Sequence, residues 1–225
     1  GRNEYVETTR PLVLVTAPGP GSGKMATCLS QLYHENKHGV KAGYAKFETF
    51  PIWNLPLMHP VNVAYEAATA DLNDVNMIDP FHLEAYGETT VNYNRDIEVF
   101  PVLQAIFTHI WGGSPYRSPT DMGVNMVGKC ISDDAICRVA AKQEIIRRLY
   151  HARCQERKGH GNENELTKLE MLMQRMGLSD ENRPVTAAAR LRTEQTGAPA
   201  AALQLDGGRI GTGKTSSLVG PSAAL

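Results

Sequence analysis

The pattern of apolar and polar residues begins with an unbroken apolar run, LVLVT at residues 12–16, which is rich in β-branched side chains. Such a run predicts a strand buried on both faces, as in a parallel sheet. From Lys24 to about residue 37, apolar residues recur at helical spacing and predict an amphipathic helix. The next strand candidate is GYAKFETF, residues 43–50. Strand, helix and strand together predict one βαβ unit with a right-handed crossover.

Helical spacing returns later in the chain and predicts five further helices, at residues 63–72, 99–112, 135–157, 166–176 and 184–196. A short helix is also expected after residue 118 or 120. No element is assigned to the polar and aromatic residues 73–96. Residues 202–213 predict a β-hairpin that turns at Asp206–Gly207. The predicted fold is therefore α/β, with a P-loop-like or Rossmann-like parallel layer, an attached helical subdomain and a small β-hairpin.

These elements predict three domains along the chain. Residues 1–130 form an α/β glycine-loop domain and residues 131–197 a helical subdomain. Residues 198–225 form the β-hairpin and the start of a truncated C-terminal subdomain. Because one βαβ unit does not make a stable sheet, we expect that further strands outside this sequence complete the layer.

Charge and composition exclude several classes of protein. The 225 residues include 23 Lys and Arg and 24 Asp and Glu, so the net charge of -1 argues against a protein that coats nucleic acid or membrane. No apolar run approaches the roughly 20 residues that span a bilayer, and the first ten residues do not resemble a signal peptide. We expect a cytoplasmic protein with neither nucleic acid nor membrane as partner. A homo-oligomer is compatible with the sequence.

The clearest chemical motif is GPGSGK, which lies between the first predicted strand and the first predicted helix. Backbone N–H groups at a helix N-terminus bind phosphate, and a lysine adds positive charge. We therefore predict that a nucleotide or another small phosphorylated ligand binds to these residues: Gly19, Gly21, Ser22, Gly23 and Lys24.

The loop departs from the G-x-x-x-x-G-K-[ST] pattern at two positions. Pro18 replaces the first glycine, and Met25 replaces the residue whose hydroxyl holds magnesium. Pro18 and Pro20 also lack N–H donors. Thr27 does not substitute for Met25, because two residues of helix turn it about 200° away. The alternative interpretation is a tight turn that only starts a helix.

A second segment, GRIGTGKT at residues 208–215, matches the pattern in full. A predicted hairpin precedes it and no long helix follows it. We therefore interpret it as a turn that carries a lysine.

Polar residues elsewhere predict a site that faces Lys24. Glu48 lies near the end of the second predicted strand, where open α/β sheets place ligand groups, and Asp79 ends a weak Walker-B-like run, VNMID. Asp121 either caps a helix or lines this site. The candidate catalytic residues are Glu48, Asp79, His82, Arg95 and Asp121.

The sequence HENKH at residues 34–38 matches the zinc-peptidase pattern H-E-x-x-H. Both histidines lie on the polar face of the predicted helix, and Gly39 ends that helix immediately. They are also about 15 Å along the helix from Lys24, so one compact site cannot use both motifs. We expect no metal, and a zinc-dependent peptidase is only a minor alternative.

Four long segments resemble the bacterial domain of unknown function 1846: GPGSGKMATCLSQLYHE, GYAKFETFPIWNLPL, HPVNVAYEAATADLNDVNMIDPFHLEAYGETTVNYNRD and SPTDMGVNM. The resemblance covers essentially the whole chain. It implies a longer protein, with an α/β region before this segment and another subdomain after it. It also implies that the spelling of the glycine loop is a family feature. It implies no established reaction or substrate.

Two main hypotheses of function follow. The first is an uncharacterised cytosolic protein that binds a nucleotide or a phosphorylated metabolite, with an unknown reaction. The second is a non-enzymatic scaffold or assembly module in which the glycine loop is purely structural.

Overall fold

The computed structural model describes residues 3–19, 21–48, 51–125 and 127–225. Pro20 of the predicted phosphate loop and residues 49–50 of the second predicted strand lie outside this description. The described residues form a mixed α/β structure with eight α-helices and three two-stranded sheets. In chain order the elements are α1 (Lys24–Lys37), β1 (Lys46–Phe47), α2 (Pro60–Ala68), β2 (Asn76–Ile78), α3 (Pro80–Tyr86), β3 (Val91–Tyr93), α4 (Asn94–Trp111), α5 (Pro119–Met122), β4 (Gly123–Val124), α6 (Asp134–Arg157), α7 (Glu163–Arg175), α8 (Pro184–Thr196), β5 (Ala200–Gln204) and β6 (Ile210–Lys214).

The chain divides into two compact units. Unit 1 comprises Gly1–Leu57 and Val75–Cys130, and unit 2 comprises Met58–Asp74 and Ile131–Leu225. Unit 1 therefore contains α1, α3–α5 and β1–β4, whereas unit 2 contains α2, α6–α8 and the β5–β6 hairpin. The three-domain division of the sequence stays a prediction.

The core of unit 1 lies where α1 packs along α4. Leu32 of α1 is buried with Phe100, Leu103 and other apolar side chains of α4. The side-chain amide of Asn36 in the last turn of α1 donates a 2.7 Å hydrogen bond to the carbonyl of Ile110 near the end of α4. Because the last turns meet, the two helices run parallel, and both N-termini lie on the same side of the pair.

Two short sheets complete unit 1. β1 pairs with β4 in parallel, with Lys46 opposite Gly123. β2 pairs with β3 antiparallel. Gly123 is required at this point, because a Cβ atom there would overlap the ring of Trp53.

The prediction of a buried strand at residues 12–16 is wrong. Within the part of the chain that the structure describes, these residues pair with no strand, and Leu12 and Leu14 are 74% and 78% exposed. A strand needs a hydrogen-bonded neighbour, and the only parallel pairing described is the two-residue pairing of β1 with β4. The predicted P-loop-like or Rossmann-like parallel layer is therefore not confirmed.

Residues 73–96 contain three elements that the sequence analysis did not assign: β2, α3 and β3. The start of α3 has a local cause, since Asp79 caps the helix and Pro80 occupies its first position. Gly87 ends the helix with φ +70. The strands are only three residues long, which is too short for a clear alternating pattern.

The later helices and the hairpin of unit 2 agree closely with the sequence predictions. α6, α7 and α8 correspond to the predicted helices, and Pro184 occupies the first turn of α8. The predicted hairpin is also present, as β5 paired with β6. The core consists of apolar side chains from α2, α6 and α7, and its fully buried members include Val63, Ile145, Ile146 and Leu169. Across the described residues, no helix combines the length and apolar character needed to cross a membrane.

Replacing Leu169 by Ala should destabilise unit 2 by about 2–5 kcal/mol, because the substitution leaves a cavity in a closed core. Leu191→Ala in α8 is the matched control, since Leu191 is 54% exposed whereas Leu169 is fully buried. Urea unfolding followed by circular dichroism measures both changes. Equal effects of the two substitutions would contradict this description of the core.

Candidate functional site

Described residues of the glycine loop contact the side chain of Lys24. Gly21 and Gly23 have φ values of +73 and +86, which glycine adopts without strain. The Ser22 hydroxyl donates a 2.5 Å hydrogen bond to the carbonyl of Gly19. The Lys24 ammonium donates to the same carbonyl at 2.8 Å and to the Ser22 hydroxyl at 3.1 Å. The positive charge is therefore held over the loop.

The loop leads directly into the N-terminus of α1, which is 14 residues long. Among the described residues no side chain caps this end, and the first turn carries no acidic residue. The backbone hydrogen bond from Thr27 to Gly23 is 3.0 Å long. The N–H groups of the three residues before Thr27 have no partner within the helix, as at any α-helix start. Together with the helix dipole, they favour an anion at this position.

A second group of polar residues lies at the end of β1, and we name it the carboxylate cluster: Lys46, Glu48, Tyr93 and Asp96. The Lys46 ammonium lies 2.5 Å from a carboxylate oxygen of Glu48 and 2.5 Å from one of Asp96. The Tyr93 hydroxyl donates a 3.0 Å hydrogen bond to Glu48. All members except Lys46 are buried. One ammonium group therefore forms ion pairs with two carboxylates that have little access to water.

Burial raises the pKa of Glu48 to about 7, from an ordinary value of 4.5. The nearby charge of Lys46 opposes this shift, whereas the charge of Asp96 adds to it. A carboxyl group with a pKa near 7 exchanges a proton readily at neutral pH, as a general acid or base must.

Tyr44 packs against the core of unit 1, and its hydroxyl feels the charges of several neighbouring groups. Burial raises the pKa of its hydroxyl to about 12, and the charges of Cys28, Asp96 and Glu48 contribute to the shift. Since α1 and α4 run parallel, the glycine loop and Asp96, in the first turn of α4, lie on the same side of unit 1.

Asp79 belongs to a different network. One of its carboxylate oxygens accepts hydrogen bonds from the N–H groups of Phe81 and His82, at 3.0 and 3.1 Å. The other accepts from the N–H and the hydroxyl of Thr120, at 3.2 and 2.6 Å. Asp79 is completely buried. These four bonds fix the start of α3 against α5.

His82 and Asp121 extend this network. Nδ1 of His82 lies 2.8 Å from the Ser118 hydroxyl and 3.8 Å from an Asp121 carboxylate oxygen. A catalytic Ser-His-Asp triad places the serine and the aspartate on opposite ring nitrogens, so this arrangement is not a triad. Asp121 also forms a capping box with Ser118 at the start of α5 and accepts a 2.9 Å bond from the Tyr86 hydroxyl.

The structure thus divides the five candidate catalytic residues between the two ends of β3. Asp79, His82 and Asp121 lie together near its first residue. Glu48 lies near its last residue, Tyr93, and the Arg95 guanidinium is 5.7 Å from the Tyr93 ring. The first and last residues of this strand are about 7 Å apart, so the five candidates form two groups of contacts rather than one.

Sequence reasoning missed the roles of Lys46 and Tyr93. One local signal was present, because Lys46 and Glu48 are two residues apart and so share a side of an extended segment. The contact of Lys46 with Asp96 spans 50 positions, and no local pattern predicts it.

The H-E-x-x-H residues have structural contacts. Nε2 of His34 lies 2.7 Å from the Asn3 carbonyl, and Nδ1 of His38 lies 2.8 Å from the His34 carbonyl. Glu35 is buried and accepts a 2.9 Å bond from Gln31. In the part of the chain that the structure describes, His, Cys, Asp and Glu form no group of three or more that could hold a metal ion.

The second glycine motif contains β6, which pairs with β5 along its full length. Lys214 is the last residue of that strand and is exposed. Because no helix follows within the described residues, this lysine has no helix N-terminus beside it.

Fold and site together define a mixed α/β protein with a glycine loop at a helix start. The model of the "Domain of unknown function DUF1846, N-terminal" matches residues 1–177, and that of the corresponding C-terminal domain matches residues 181–225. The chain belongs to this family of uncharacterised proteins, as its sequence resemblance indicated.

Curated relatives carry the name UPF0371 protein. One from Corynebacterium urealyticum is 62% identical over 225 residues, covering 100% of this chain and 45% of the relative. One from Streptococcus uberis is 63% identical and covers 100% and 46%, respectively. One from Streptococcus thermophilus is 61% identical over 224 residues and covers 100% and 45%. The chain therefore spans about half the length of the curated relatives it matches.

The raised pKa of Glu48 predicts a loss of stability as pH rises from about 4.5 to about 7. The native state holds this proton more tightly than the unfolded state does, so the contribution is complete below pH 4.5 and fades towards pH 7. Its upper limit is about 3 kcal/mol, at about 1.4 kcal/mol per pKa unit. Glu48→Gln should flatten the stability profile over this range.

Both tryptophans, Trp53 and Trp111, lie in unit 1. Urea unfolding followed by tryptophan fluorescence at several pH values therefore reports on the unit that contains Glu48. Glu84→Gln, at an exposed position of α3 in the same unit, is the control and should keep the wild-type profile. Parallel profiles for wild type and Glu48→Gln would refute the prediction.

Proposed function

We propose that this chain binds a nucleotide or another small phosphorylated metabolite at its glycine loop. One observation carries the proposal: the Lys24 ammonium is held over a loop that opens a 14-residue helix without an acidic first turn. The small loop residues would let the backbone approach the phosphate closely: Gly19, Gly21, Ser22 and Gly23. The phosphate would replace the Gly19 carbonyl as the main partner of Lys24, in a charge-assisted contact.

The carboxylate cluster is the proposed proton-exchanging part of this site. The parallel arrangement of α1 and α4 supports this assignment. Because of it, the N-terminus of α1 and the first turn of α4 lie on the same side of the helix pair. Glu48 is the general acid or base, and the neighbouring charges of Lys46 and Asp96 adjust its pKa. Arg95 adds positive charge near the same ring, Tyr93. The reaction and the substrate of the whole protein stay open.

The network of Asp79, His82 and Asp121 has a positioning role in this proposal. Asp79 and Asp121 accept hydrogen bonds from groups at the starts of α3 and α5. They hold the starts of those two helices in place. The ligand partner is a soluble small molecule, and we propose the cytoplasm as the location of the protein.

A structural glycine loop in a scaffold protein is the second candidate. It is favoured by the internal bonds of the loop, since Ser22 and Lys24 both donate to Gly19 without any ligand. In that case the lysine fastens the turn, and no phosphate displaces it.

Lys24→Ala should weaken binding of a phosphorylated ligand by about tenfold or more, because a charge-assisted hydrogen bond contributes about 1.5–3 kcal/mol. Thermal-shift screening of nucleotides and sugar phosphates finds the ligand, and calorimetry measures its Kd. Lys214→Ala is the control and should bind as wild type does. Lys214 lies in the second glycine motif, which matches the phosphate-loop pattern in full. Unchanged binding by Lys24→Ala would exclude the glycine-loop site.

Magnesium should change the affinity for that ligand by less than about threefold. Met25 stands where phosphate loops carry a magnesium-binding hydroxyl, and Thr27 points elsewhere around the helix. Calorimetric titrations with Mg²⁺ and with a chelator provide the comparison. A strict requirement for Mg²⁺ would show that another oxygen ligand completes a metal site.

A further inference from the structure

A groove of about 710 Å³ in unit 2 is lined by α6, α8, β5 and the turn before α8. Arginine dominates its charged lining, with side chains at Arg147, Arg153, Arg157, Arg183 and Arg190. Among the described residues, two acidic ones line the same groove, Asp180 and Glu194. The chain as a whole has 23 basic and 24 acidic residues, so positive side chains are concentrated here.

Three of these arginines have acidic partners. Arg147 pairs with Glu144 at 2.6 Å, on the adjoining turn of α6. Arg153 and Arg190 pair with acidic residues at 3.3 to 3.5 Å. Among the described residues, no carboxylate lies within 4.0 Å of the guanidinium of Arg157 or Arg183. Within the described residues, the positive charges of Arg157 and Arg183 are therefore not matched by a carboxylate in ion-pair contact.

Asp180 shows what the groove accepts. One of its carboxylate oxygens lies 3.5 Å from Arg153, and the other lies 3.3 Å from Arg190. Guanidinium groups from two helices therefore already converge on one planar oxyanion. Arginine suits this role because its planar fork of N–H donors matches the oxygen spacing of carboxylate and phosphate groups.

The rest of the lining suits a small organic molecule. Val185, Ala189 and Ala200 provide an apolar surface, and the hydroxyls of Tyr150 and Thr186 lie 3.4 Å apart. The volume falls within the range of ordinary ligand sites, about 300–1,000 Å³. An apolar surface beside guanidinium groups fits a ligand with a carbon body and an anionic end.

We propose that this groove binds a small organic ligand that carries at least two negative charges on oxygen, held by Arg157 and Arg183. Phosphate esters and dicarboxylates share this chemistry. The site lies in unit 2 and is independent of the glycine loop, so either proposal can fail without the other.

The test uses the 225-residue chain with Lys24→Ala, which removes the lysine of the proposed site in unit 1. Calorimetric titration with inorganic pyrophosphate and, separately, with citrate should give saturable one-to-one binding of at least one probe. Tighter binding of pyrophosphate would indicate that the groove recognises phosphate, and tighter binding of citrate would indicate that it recognises carboxylates. The added double substitution Arg157→Gln and Arg183→Gln should weaken this binding about tenfold or more.

Arg138→Gln is the matched control, because Arg138 lies on α6 but pairs with Asp134 and does not line the groove. It should change the Kd by less than twofold. Arg157→Lys and Arg183→Lys keep the charge but lose the planar fork, so each should weaken binding about threefold while circular dichroism stays unchanged. If the double Gln variant fails to fold, these two variants decide the test.

Three results would overturn the proposal. The first is that neither probe binds saturably. The second is that Arg138→Gln weakens binding as much as the groove substitutions do, which would indicate charge alone. The third is that both lysine variants bind as tightly as the parent chain.

Discussion

The contact on which unit 1 depends is that of the Lys46 ammonium with the carboxylates of Glu48 and Asp96. It joins the end of β1 to the first turn of α4, across 50 positions of sequence. Two buried carboxylates without a cation would repel each other and lose their hydration, so the lysine is required for this packing. One positive charge cannot balance two negative ones, and burial therefore shifts Glu48 towards its protonated form.

The two proposed ligand sites use different physical means. In unit 1, the N-terminus of α1 offers backbone N–H groups and a dipole, and Lys24 adds a single point charge. In unit 2, the proposed site relies on planar guanidinium groups, with Arg157 at the end of α6 and Arg183 just before α8. A phosphate group fits the first arrangement by its concentrated charge. The second also accepts a planar carboxylate, as Asp180 shows.

The sequence predicted the helices of unit 2 well because their signals are local. Asp133 caps α6 and Pro184 starts α8, so residues at each helix start predict where that helix begins. The β5–β6 hairpin was predicted for the same reason. Residues 12–16 show the limit of this reasoning, since an apolar, β-branched run says nothing about whether a neighbouring strand is present.

The candidate site was predicted only in part for a related reason. The glycine loop and Glu48 were found from their positions beside predicted elements. Lys46 and Asp96 act through a contact that only the tertiary fold creates. Asp79 was expected in a catalytic site, although the Asp-Pro pair at residues 79–80 also signals a helix start. Its four hydrogen bonds favour that second interpretation.

The most direct test of the account is the response of backbone amides in the glycine loop to phosphate. In ¹⁵N-labelled protein, titration with the best ligand from the nucleotide and sugar-phosphate screen should shift the amide signals of Gly21, Gly23, Lys24 and Met25 along one saturable curve. The largest shifts should fall at the start of α1. If these signals stay in place at saturating ligand, or if the shifts scatter over both units, the glycine loop is not a phosphate site.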